Sequence, residues 1–153
     1  MSSFAQAIVD KLNADATLLT TLTGKAHNFS DGGKNGLSRI QIPGTFDPTT
    51  GLIKPVCLVA EFPEVADNQI VDTQTGYHST VTQIVMRIWD NGNKSYDDIN
   101  TCFNRIYSLL AYQQVPGAFQ ILFRRVLRDR RDPLLKDAAY YEAYFDVFGS
   151  LNF

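Results

Sequence analysis

From Ser79 to Trp89 the chain alternates, with Ile84, Met86 and Ile88 on one side of a period-two pattern and Val81, Val85 and Trp89 on the other. Apolar residues on both sides predict a strand with little exposed surface. Asp90 to Asn93 supplies a turn signal. Ser95 is then placed to cap a helix whose first turn carries Asp97 and Asp98 near the positive end of the helix dipole. In that helix Ile99, Cys102, Phe103, Ile106, Leu109 and Leu110 recur at spacings of three and four, which predicts one buried stripe lying on the sheet.

The same periodicities organise the remaining segments. Ser2 or Ser3 can cap a first helix with Phe4, Ala5, Ile8, Val9 and Leu12 on one face. After a break at Asn13, Asp15 can cap a second short helix through Leu18, Leu19 and Leu22, with Gly24 as its stop. Residues 25–51 scatter Gly32, Gly33, Gly36, Gly44 and Gly51 among polar residues and two prolines. This predicts a mobile surface loop in which only Leu37 to Ile42 has strand character. Pro55 to Phe62 reads as a strand with Val56, Leu58 and Ala60 opposite Cys57 and Val59, ended by Pro63. Glu64 to Gly76 is a polar connection with a short extended piece around Gln69 to Asp72.

Beyond a break at Pro116 and Gly117, Phe119 to Arg128 alternates. Phe119, Ile121, Phe123 and Leu127 fall on one face, Leu122 and Val126 on the other, and a charged turn follows from Asp129 to Pro133. In the last strand, Ala138 to Phe148, a small apolar face of Ala139, Tyr141, Ala143, Phe145 and Val147 opposes Tyr140, Glu142, Tyr144, Asp146 and Phe148. Helices, strands, a helix and two closing strands predict one α+β domain over residues 1–153, with a mostly antiparallel sheet and helices packed on one side.

Composition narrows the function more than it points to one. At 153 residues with 44% hydrophobic content the chain can bury a single core, and its net charge of -2 implies no general attraction to nucleic acid or an anionic surface. Cys57 and Cys102 lie in apolar runs without metal-ligand spacing, which predicts reduced core thiols. No apolar run approaches membrane-spanning length and no export segment opens the chain, so a soluble product without a membrane partner is expected. His27 and His78 have no acid in a catalytic spacing. Adjacent Asp97 and Asp98 diverge by about 100° on a helix and serve helix-start electrostatics better than catalysis. The glycine-rich Ser30 to Leu37 lacks the phosphate-loop spacing, and no nucleophile-elbow, zinc or dinucleotide motif is present. The sequence therefore predicts no enzyme, no cofactor and no metal.

Arg124, Arg125, Arg128, Arg130 and Arg131 fall within eight residues. On an ideal strand Arg124, Arg128 and Arg130 share a face and Arg125 points the other way. A solvated strand end offset by Asp129 and Asp132 and a protein-binding patch are the two balanced readings. Nucleic acid is a weaker third, because no aromatics are interleaved for base stacking, and no specific nucleic-acid contact is expected. Tyr140, Glu142, Tyr144 and Asp146, with Phe148, give the last strand the composition of a contact surface.

Four features in this order resemble bacteriophage tail terminator proteins, also called tail completion or tail-to-head joining proteins. They are a leucine-rich N-terminal helix from Phe4 to Leu22, a short strand at Pro55 to Phe62, a long strand ending in Ile88-Trp89 before a polar turn, and a helix ending in Leu109-Leu110. The resemblance covers most of the chain and marks fold positions rather than chemistry. It implies a small α+β subunit that forms a ring, commonly a hexamer, on the end of the tail tube, stops polymerisation and presents a surface to the head. The implied partners are further copies of the chain, the tail tube protein and a head connector or completion protein. The implied place is the head-proximal end of the virion tail, after assembly in the host cytoplasm. The family has no catalytic residues to carry over. The chain departs from shorter members in residues 25–51 and in the arginine-rich turn. A head-completion or neck connector protein, or a small nucleic-acid-binding module using Arg124 to Arg131, are the alternatives.

Overall fold

The computed structural model describes residues 4–28, 45–64, 71–72, 77–91, 96–115, 118–131 and 138–152. Helices α1 (Phe4–Asn13), α2 (Ala16–Leu19) and α3 (Asp97–Leu110) combine with strands β1 (Ala26–Asn28), β2 (Val56–Glu64), β3 (Val71–Asp72), β4 (Tyr77–Asn91), β5 (Ala118–Arg131) and β6 (Ala138–Asn152). The sheet runs β1-β2-β4-β6-β5. Every pairing is antiparallel except that of β1 with β2, and β3 adds a two-residue pairing to the start of β4. The fold is α+β with a mostly antiparallel sheet.

One face of the sheet carries the main core. Cys57 and Val59 of β2, Ile84, Met86 and Ile88 of β4, Ile121 of β5 and Tyr141, Ala143, Phe145 and Val147 of β6 are all buried there. The predicted helical stripes cover them: Ala5, Ile8, Val9 and Leu12 from α1, Leu18 and Leu22 in and after α2, and Ile99, Cys102, Phe103, Ile106 and Leu110 from α3. The described helices thus lie on one side. Cys57 and Cys102 are buried and form no disulfide, and burial pushes the Cys57 thiol pKa up.

Asp15 caps α2 as its position predicts, accepting from the Leu18 N–H at 2.9 Å, and also receives Arg105 of α3 through two bonds of 2.8 Å. Chiefly through that guanidinium, its carboxyl is held at about 2, below the ordinary 3.8.

Five local expectations change. β4 runs through Asp90 and Asn91, which pair with Ala139 and Ala138 instead of turning, and Gln83 and Arg87 on its outer side are exposed. Tyr96 precedes α3 without a side-chain cap; Ser95, like Ser2 and Ser3, lies outside the described residues. Gly24 does not stop α2, which ends at Leu19. It is a close-approach glycine: its N–H donates to the Pro55 carbonyl at 2.7 Å, and a Cβ would sit 2.8 Å from that oxygen and from Val56 Cβ. The left-handed turn falls to Lys25, at φ 63.

The stretch predicted as a mobile loop is structured at both ends. Ala26–Asn28 pairs with Cys57–Val59, and Phe46 bridges Ile53 around a turn in which Asp47 accepts from the Thr49 N–H at 2.8 Å. Leu37 to Ile42 lies outside the described residues. Lastly, Pro63 lies within β2 instead of ending it. Cys57 turns its N–H outward to Lys25, and Pro63, six residues on in an unbroken register, shares that outward parity. Its missing N–H therefore belongs to the sheet edge, where no ladder bond is lost.

Candidate functional site

The face opposite the helices is built from cross-strand rows that the register fixes. Trp89 stands beside Val56 and Tyr140, Arg87 beside Leu58 and Glu142, Val85 beside Ala60 and Tyr144, and Val81 beside Glu64 and Phe148. At the Trp89 end the face is covered: Ile53, Val56, Leu58, Trp89 and Ala138 form a second buried cluster with Phe46 and Tyr140 packed against it. Toward the other end Val81, Val85, Tyr144, Phe148 and Leu122 are half-buried, and Phe62 is 54% exposed.

Charges on this face are paired among themselves. Arg87 donates to Glu142 at 2.7 Å, with its guanidinium 5.0 Å from the Tyr140 ring and 6.0 Å from that of Trp89. The Tyr144 hydroxyl also donates to Glu142, and this bond, with burial and the carboxylate charge, raises the Tyr144 pKa. Glu142 is thereby buried, while Tyr140, Tyr144 and Asp146 are half-buried. The acidic, aromatic character of β6 is thus directed largely into the sheet's own network.

The arginines do not divide as an ideal strand predicts. β5 shifts register three times, between Ala118 and Gln120, Phe123 and Arg125, and Leu127 and Arg130. The middle shift puts Arg124 and Arg125 together on the outer face, where Arg124 bonds Asp146 at 2.5 Å and Arg125 lies 4.5 Å from the Tyr144 ring. Arg128 turns to the helix side, 6.0 Å from the Phe103 ring and 5.7 Å from that of Tyr141. The same bulge brings Phe123 and Val126 together against the main core, and sends Leu127 to the side of Glu142. Asp129, Arg130 and Arg131 continue β5 instead of forming a turn; Arg130 pairs in register with Tyr140 and Arg131 with Ala139, and their side chains lie outside the described residues.

Both sheet edges carry features that blunt main-chain pairing. On one side, the Asn13 side chain occupies both the N–H and the carbonyl of Ala26 at 2.9 Å each, and Pro63 removes a donor from β2. On the other, Tyr112 donates to the Ile121 carbonyl at 2.8 Å, Gln113 accepts from the Ile121 N–H at 3.1 Å, and the bulges and arginines of β5 follow.

Sequence periodicity missed several exposed groups. Tyr112 is 67% exposed with φ 61, and Tyr107 is 37% exposed and edge-on to Phe123 at 5.3 Å. Their signal was an aromatic residue on the polar side of a helix end. His27 donates from Nε2 to the Gly24 carbonyl at 2.7 Å, and the His78 side chain lies outside the described residues. Among the described residues no three of His, Cys, Asp and Glu are grouped as metal ligands would be, and no helix is long and apolar enough to cross a membrane.

No protein-family model matches the chain, and no curated protein matches it. Among solved structures it is similar to a chain described as "Virion of native gene transfer agent (GTA) particle", with a TM-score of 0.64 at 15% identity, covering 97% of this chain and 96% of that one. The two chains share a fold over almost their whole lengths.

Proposed function

We propose that the protein is a structural subunit of a phage-like virion, forming a ring, most simply of six, at the head-proximal end of the tail tube. There it stops tube growth and joins tail to head, meeting tube protein on one side and a head connector or completion protein on the other. The observation that carries the virion reading is the near full-length fold similarity to a chain of a gene transfer agent particle. The Ile88-Trp89 dipeptide near the end of β4 and the Leu109-Leu110 end of α3 support the narrower tail-terminator reading through their resemblance to that family. The half-dressed outer face, apolar at one end and rich in prearranged arginine and tyrosine, supplies contact chemistry of the kind enriched at protein interfaces.

Native mass over a wide concentration range, repeated with purified tail tubes and followed by electron microscopy, tests the proposal. Rings on tube ends are expected. A protein that stays monomeric and never binds tube ends overturns it.

A further inference from the structure

Tyr112 follows α3 in a left-handed conformation that disfavours any bulky side chain and that glycine or asparagine holds more readily. Its N–H is fixed by Ile121, yet its ring is largely in solvent, so neither packing nor backbone geometry accounts for a tyrosine there. Beside it on the same flank, Tyr107 is braced by Phe123, and the Arg128 guanidinium by Phe103 and Tyr141. Side chains already held by rings lose little freedom on docking, and tyrosine and arginine dominate the energetics of protein contacts.

We infer that this α3–β5 flank binds a second copy of the same chain, through that copy's α1–β2 flank. The inference deepens the ring reading above. Charge identifies the partner: Arg124 to Arg131 holds five arginines and one aspartate, while the rest of the chain holds nine basic and fifteen acidic residues. A basic strand on an acidic body is complementary to another copy of itself. The sheet order sets β2 and β5 on opposite sides of the central strands. On the β2 side Asp10 is exposed on α1, with Lys11 half-buried next to it, and Phe62 is exposed. Because the two surfaces differ, the contact is heterologous and can close a ring. Asn13 and Pro63 hinder main-chain pairing on that side, so side chains carry the contact.

Four variants test it by sedimentation velocity over a wide concentration range, with thermal unfolding alongside: Tyr112→Gly, Arg128→Glu, Asp10→Arg, and Arg128→Glu with Asp10→Arg in one chain. Tyr112→Gly is expected to unfold no lower than wild type while self-associating at least about tenfold more weakly, as loss of an interface anchor does. Each charge reversal is expected to weaken association similarly, and the double variant to recover most of it. Wild-type-like association of Tyr112→Gly or Arg128→Glu, or a wild type monomeric throughout, overturns the inference. A double variant no better than the single ones overturns the assignment of the α1–β2 flank. If Arg128→Glu keeps self-association but loses salt-sensitive DNA binding, the α3–β5 flank serves nucleic acid and the inference fails. Wild-type self-association without affinity for tail tubes leaves this contact standing and removes the tail reading instead.

Discussion

On the helix-covered face of the sheet, Ile84, Met86, Ile88, Phe145 and Val147 are wholly enclosed in one continuous core, whereas on the other face the Trp89 end is roofed and Val81, Val85, Tyr144 and Phe148 stay half-exposed. The same strands supply both faces, so the contrast is set residue by residue by side-chain parity. The inner face relies mainly on apolar volume, with a few polar groups such as the Tyr141 hydroxyl bonded to Asn100. The outer face mixes apolar area with ion pairs that are already formed, Arg87 with Glu142 and Arg124 with Asp146. Charges satisfied within the chain need no outside partner, so covering that face would carry a smaller desolvation penalty. The inner face therefore encloses most of the core, while the outer face leaves satisfied charges beside half-exposed apolar area.

The sharpest break in that contrast is Phe145→Ala, which empties the centre of the inner core. It should cost about 3–5 kcal/mol in denaturant unfolding, the range for deleting a buried aromatic ring. A cost below about 1 kcal/mol would mean that this face is not the stabilising one. Next comes Arg87→Met on the outer face, which removes the guanidinium that bonds the buried Glu142 carboxylate at 2.7 Å. A loss of about 1–3 kcal/mol is expected from the same measurement.

The Asp15–Arg105 clip on the helical side is a smaller effect with a pH signature. Because the folded carboxyl titrates at about 2 against an ordinary 3.8, its contribution is complete above about pH 4 and is lost as pH falls through about 2. Arg105→Gln should melt below wild type near neutral pH, and the gap should close between pH 4 and pH 2. A gap that stays constant across that window rules the clip out. Smallest of all, Phe62→Ser should change stability by no more than about 0.5 kcal/mol, because the ring is more exposed than buried. A larger loss would show that the open end of the outer face is part of the fold's own support.

Where a side chain's role depends on its own periodicity, the sequence was readable. The stripes of α1 and α3, the alternation of β4 and β6, and the capping role of Asp15 all stand where spacing put them. What escaped depends on a partner distant in sequence. Ala26–Asn28 has no strand signature and becomes one only because β2 offers it a parallel edge. Gly24 looked like a helix stop because the approach of Pro55 and Val56 is invisible locally. Pro63 looked like a strand end because the direction of a missing N–H is unknown until the neighbouring strands are placed. In β5 strict alternation misassigned Arg125, Val126, Leu127 and Arg128, since a bulge adds a residue without leaving a mark in the hydrophobic pattern. The candidate contact residues were recognised as a class by composition, whereas their sorting into internal braces and outward groups required the register.

Pro63 and the bulges of β5 also act before the molecule is complete. β4 cannot pair with β6 until the chain has continued through α3 and β5, so this sheet closes from contacts far apart in sequence, a slow route to a native state. During that interval incomplete chains expose strands to one another. A proline facing outward on one margin and an irregular, arginine-bearing strand on the other give a half-formed sheet poor templates for recruiting a neighbour. Their value then lies in the yield of correctly folded chains during synthesis, and would show as aggregation on refolding of a Pro63→Val variant whose native stability is unchanged.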